Sequence, residues 1–155
     1  MSGYFSFEDL LLLKGLEGKK LGSVVYHNWQ NRFGDDELFE FLDKLELHFS
    51  DGSRLVLSAT EDEDPRIVIL KDFDAEKDRL MLLHEFGGKI DLQTEDRTSN
   101  PLWQPVSGKT VQLVSLVDDG EQSFRNDAVL FDFGDDKLEI HPGQEGLIVE
   151  PWEDV

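Results

Sequence analysis

Lys44, Glu46 and His48 stand at alternate positions in KLELH, and the same three residue types recur at Lys137, Glu139 and His141 in KLEIH. Residues two apart on an extended chain share a face, so each phrase presents an imidazole beside a carboxylate. If two such faces met about a pseudo-twofold axis, His48, His141, Glu46 and Glu139 would offer the nitrogen and oxygen donors that zinc accepts. The competing reading is the solvated face of two antiparallel strands, with charges paired across it. The solvated face is the expectation, because metal-ligand sets usually lie closer in sequence and no HExxH is present. No cofactor is expected.

Catalytic constellations are scarce. His27 in YHNW and His84 in LLHEF offer general bases, but GxSxG, GxxxxGK[ST] and GxGxxG are all absent. The chain has no cysteine, which removes thiolate nucleophiles, thiolate metal sites and disulfides together. The acidic clusters Asp35-Asp36-Glu37, Glu61 to Asp64, Asp118-Asp119-Gly120-Glu121 and Asp135-Asp136 lack the alternate oxygen spacing of a calcium loop. A non-enzymatic protein is expected.

The charge balance narrows the class of partner. The 155 residues include 15 Lys and Arg against 34 Asp and Glu, a formal net charge of -19. Such a surface repels phosphate backbones, so direct nucleic-acid binding is not expected. The charge serves either solubility or the steering of a basic partner. The expected function is an acidic binding module, an inhibitor or immunity-type protein for a basic partner, with Asp35, Asp36, Glu37, Asp118 and Asp119 as candidate contacts. The alternative is a small-molecule or metal-binding protein using the seam between two β units. Apolar runs are no longer than Leu10 to Leu13, far short of the ~18 residues of a membrane helix. The N-terminus has no signal-peptide pattern, and a cytoplasmic location is expected. Oligomeric state is not readable from the sequence.

These residues need β structure to position them. Period-two alternation runs through Leu45, Leu47 and Phe49, and through Leu138 and Ile140. Aligning outward, Gly18-Lys19 matches Gly108-Lys109, and Phe39 to Phe41 matches Phe131 to Phe133, which predicts an internal duplication. The expected organisation is one domain, 1–155, with a first β unit over 18–60, a connecting segment over 61–107 and a second β unit over 108–152. The fold class is α+β, mostly β. Two antiparallel units of about four strands each pack as a sandwich or a shared curved sheet, with a short N-terminal helix.

That helix is expected over 7–14 behind a Ser6 cap. The segment 74–86 reads as a central helix capped by Asp74, or else as a hairpin through 79–86 and 89–93. Residues 38–50 read as two strands or one bent strand, with Phe39, Phe41, Leu45, Leu47 and Phe49 in one phase. A three-residue loop, Ser50-Asp51-Gly52, pairs Leu47 with Leu55 and leaves Gly52 in the left-handed conformation. A four-residue loop over 142–145 pairs Ile140 with Leu147. Trp29, Trp103 and Trp152 are expected to anchor the core.

Overall fold

The structure, a computed structural model, describes residues 3–31, 39–61, 63–120 and 123–152. Strands β1 (Leu21–Asn31), β2 (Phe39–Phe49), β3 (Arg54–Ala59) and β4 (Ile67–Leu70) form an antiparallel meander. After helix α2 (Ala75–Glu85), strand β5 (Ile90–Asp96) returns to the other edge of β1. The first sheet therefore runs β4-β3-β2-β1-β5. A second antiparallel sheet follows, from β6 (Leu113–Asp118), β7 (Phe124–Asp132), β8 (Lys137–Pro142) and β9 (Leu147–Pro151). The two sheets join where Leu42 of β2 pairs with Leu147 of β9.

Alternation explains the packing. Leu45 and Leu47 of β2, Leu57 of β3, Phe131 of β7 and Ile140 of β8 belong to one buried cluster drawn from both sheets, as in a face-to-face sandwich. Helix α1 (Phe7–Lys14) starts as its sequence requires: the Ser6 hydroxyl accepts from the Asp9 amide at 3.1 Å, and Leu13 is the residue it buries. The segment 74–86 is the helix, not the hairpin. The Asp74 carboxylate caps its start by accepting from the Lys77 amide, and Gly87 and Gly88 both take positive φ. The Gly88 amide then bonds Leu83 O at 2.9 Å, closing the last turn. No helix among the described residues is long and apolar enough to cross a membrane.

The two meanders correspond strand by strand. Gly18 N–H donates to Val111 O at 2.7 Å, and Gly108 N–H donates to Leu21 O at 2.8 Å. Val111 N–H reaches Lys19 O, and Leu21 N–H reaches Lys109 O. Exchanging 18 with 108 and 21 with 111 maps each bond onto another, so the two turns pair about a local twofold. The correspondence continues in register: Val24↔Leu47 and Tyr26↔Leu45 in the first sheet, Val114↔Phe131 and Leu116↔Val129 in the second. Next come Leu47↔Leu55 and Phe131↔Leu138. Strand β2 thus corresponds to β7, and β3 to β8. The repeated phrase follows a different path, with KLELH on β2 and KLEIH on β8. Each is an inner antiparallel strand that needs alternate apolar residues, but they occupy different places in their meanders.

Three further details differ from the sequence reading. Residues 39–49 form one strand, but its phase breaks: His27 pairs with Lys44 and Asn28 with Leu42, so Asp43 is an extra residue on β2. This β-bulge re-aims the side chains beyond it. Leu42 packs against the core, while Phe39 is left exposed and Phe41 partly so. The Ser58 hydroxyl donates to the Asp43 carbonyl at 3.0 Å, which meets the hydrogen-bonding need of the displaced peptide. Secondly, the β8–β9 loop spans 143–146, closed by Gly143 N–H to Gly146 O, so Ile140 pairs with Val149 and Leu147 with Pro142. Thirdly, the connecting segment 61–107 contributes to the first sheet: Ile67–Leu70, a strand candidate on sequence grounds, is β4 and forms its edge. The β2–β3 hairpin has the expected register, Leu47↔Leu55 and Leu45↔Leu57, with Gly52 at φ 90°.

Candidate functional site

The first KLELH face is largely covered: Glu46 is buried, and His48 is left partly solvated. After β4, Phe73 and helix α2 pack over this face while β5 extends the sheet beyond β1, and a second small core forms from Val56, Phe73 and Leu92. Glu46 and His27 are buried beneath this cover, at 8% and 2% exposure. His27 Nε2 lies 2.9 Å from Glu46 Oε1, and its Nδ1 lies 2.9 Å from Thr94 Oγ1. A proton on Nε2 donates to the carboxylate, and Nδ1 then accepts from the threonine hydroxyl. The other oxygen, Glu46 Oε2, receives His48 Nε2 at 2.5 Å and Arg54 Nη1 at 3.4 Å. Arg54 Nη2 also donates to Phe73 O at 2.6 Å.

Burial pushes the Glu46 carboxyl up, but the bond from His27 and the nearby His48 and His27 rings outweigh it and hold the group below its ordinary value. The arrangement ties β1, β2, β3, β5 and the lead into α2 to one carboxylate. Its partners are all the chain's own, which suits a structural clasp better than a reacting group. His84, the other general-base candidate, is exposed on α2.

The second copy lies on the other sheet. Glu139 pairs directly across from Glu150, and His141 Nε2 is 3.0 Å from Glu150 Oε2. Ligand-capable atoms of Glu139, His141 and Glu150 lie within 4.8 Å of one another, the one group this compact among the described residues. The structure therefore gathers Glu46 with His48 and Glu139 with His141, but in separate clusters. It does not assemble His48, His141, Glu46 and Glu139 as one set. Glu150 was missed because the 142–145 loop puts Ile148 opposite Glu139; the observed loop shifts the register by two and brings Glu150 there.

Of the acidic candidates, Asp35, Asp36 and Glu37 lie outside the described residues. Asp118 and Asp119 are exposed at the end of β6. Asp118 Oδ1 accepts from the Gly120 amide at 2.8 Å, and Asp119 N–H donates to Ser123 O at 3.1 Å. These bonds shape their own turn.

A cleft of about 270 Å³ opens at the seam of the two sheets, next to the Asp43 bulge. Trp29 and Phe41, paired across β1 and β2, line it with Asp43, Glu61, Gln144 and Glu145. The two rings meet edge to face with centroids 4.8 Å apart. Asp43 is already paired with Lys44, which also reaches Asp78 at 3.5 Å. Glu61 and Glu145 are exposed and have no basic partner among the described residues. The Trp29 indole N–H is buried without an acceptor among the described residues. Sequence alternation concealed this cleft, because it assigned Phe41 to the core. Of the other tryptophans, Trp103 is fully buried and donates from Nε1 to the Tyr26 hydroxyl at 2.7 Å, whereas Trp152 is 43% exposed. No known family model matches the chain, and no curated protein or solved structure is significantly similar to it.

Proposed function

We propose that this chain is a non-enzymatic binding module that recognises a basic protein, as an inhibitor or immunity-type protein covering a cationic surface. The observation that carries this reading is the net charge of -19 together with where the positive charges go. Most lysines and arginines are held by the chain's own carboxylates, among them Lys19 by Asp51, Arg54 by Glu46, Lys71 by Glu8 and Arg79 by Asp91. The surplus carboxylates face outward. A field of this kind raises the encounter rate with a cationic partner and disfavours anionic ones. The cytoplasm is the proposed location.

Affinity capture from native lysate at low and at high salt tests the reading, followed by association kinetics on the recovered protein. One basic protein, bound quickly at low salt and slowly at high salt, is the expected result. Recovery of only neutral or acidic proteins, or association indifferent to salt, would reject it. Metal binding is the second reading, supported by the compact Glu139, His141 and Glu150 group. Equilibrium dialysis against zinc tests it, with loss of binding in His141→Ala as the supporting result.

A further inference from the structure

We infer that the seam cleft seats an arginine side chain of the basic partner, an assignment that rests on the function proposed above and names the chemistry of its contact. At about 270 Å³ the cleft is just below the ~300 to 1,000 Å³ of small-molecule sites, a size suited to one long side chain. Its inner wall is aromatic, from Trp29 and Phe41, and its rim carries Glu61 and Glu145. Neither rim carboxylate is neutralised by a basic residue among the described residues, so the complementary charge comes from outside.

Aromatic faces beside free carboxylates favour a cation with an apolar stem and a planar head. A guanidinium stacks on a ring and donates in a fork to carboxylates, whereas an ammonium is a compact, strongly hydrated point charge. The backbone fixes this geometry. The Asp43 bulge turns Phe41 away from the core to meet Trp29, and Gly146 brings the β8–β9 loop against Leu42 and Phe41.

Titration with Nα-acetyl-arginine amide, followed in nitrogen–proton NMR spectra, tests the assignment, with the Trp29 indole signal as the reporter. The lysine and citrulline amides serve as controls, citrulline having the shape of arginine without its charge. The expected result is a saturable shift of the Trp29 indole by the arginine amide, absent with citrulline and weaker with lysine. The double variant Glu61→Gln/Glu145→Gln, its fold checked by circular dichroism, should bind roughly tenfold more weakly. Equal shifts from citrulline or lysine, or an arginine response centred on Asp118 and Asp119 with Trp29 unmoved, would overturn the inference. A basic partner bound equally well by wild type and double variant would sink the inference and leave the function standing. Arginine amide bound in the cleft with no basic protein recovered would sink the function, and with it the partner's arginine as occupant.

Discussion

Leu42 of β2 lies directly opposite Leu147 of β9, and this position joins the two sheets. The junction has a close tolerance: a Cβ at the neighbouring Gly146 would lie 2.1 Å from Leu42 O and 2.5 Å from Phe41 Cδ2. Gly146 also has φ 67°, a conformation that costs an L side chain free energy. The seam therefore depends on a residue without a side chain at the point where two backbones meet.

Gly146→Ala is expected to destabilise the protein more than Gly52→Ala. Both positions have positive φ, but a Cβ at Gly52 meets nothing within 4 Å. Gly52→Ala should cost about 1 to 2 kcal/mol from backbone strain alone. Gly146→Ala adds a backbone clash and should cost on the order of 3 kcal/mol or more. Urea-denaturation midpoints measure the difference, and equal midpoints would refute the crowded seam. The loop expected over 142–145 gives the opposite ranking, so this comparison also tests the corrected register.

Leu47→Ala and Ile140→Ala should each cost roughly 2 to 5 kcal/mol, because both are buried in the core shared by the two sheets. Each variant should still unfold in one transition. Calorimetry showing two transitions, with each substitution moving only one, would mean that the sheets are independently stable.

Acid sensitivity should trace in part to Glu46. Its folded pKa is lowered from an ordinary value of 4.5, so the stability it contributes is fully present above that value and is lost as pH falls through the lowered one. Glu46→Gln should cost about 1 to 3 kcal/mol near neutral pH, with the lower half favoured because His48 and Arg54 are partly solvated. The variant's deficit should shrink as pH falls below 4.5 and through the lowered value. Asp51 is held down to about 2 by the Ser53 hydroxyl and amide and by Lys19, so it contributes to the same acid limb. A deficit that is constant across pH would remove Glu46 from the acid response.

The sequence revealed most where a local rule decides the outcome. Ser6 and Asp74 announce helix starts because a side-chain oxygen meets free amides there. The Leu47–Leu55 register follows from keeping apolar side chains on one face. Alternation says which residues share a face, however, and not what later covers that face. Glu46 therefore read as solvated, although Phe73 and α2 cover it from farther along the chain. The Asp43 bulge left no turn or glycine signal, and its single extra residue reversed the faces of Phe39 and Phe41. The seam cleft was hidden with them.

Deleting Asp43 is the sharpest test of that bulge. Without the extra residue Leu42 directly precedes Lys44, and regular pairing of His27 with Lys44, Asn28 with Leu42 and Trp29 with Phe41 keeps Leu42 toward the core and Phe41 beside Trp29. The deletion therefore keeps the Leu42↔Leu147 junction and removes the carbonyl acceptor of the Ser58 hydroxyl. Asp43→Ala keeps the backbone count and loses only the pairing with Lys44, a residue that also reaches Asp78. The deletion should therefore cost about 1 to 3 kcal/mol more than the substitution, the penalty of a hydroxyl left without its acceptor. In both variants Phe41 should stay in contact with Trp29, read from proton–proton contacts between the two rings. A deletion variant in which Phe41 leaves Trp29 and enters the core would mean that Asp43 is not the extra residue of β2.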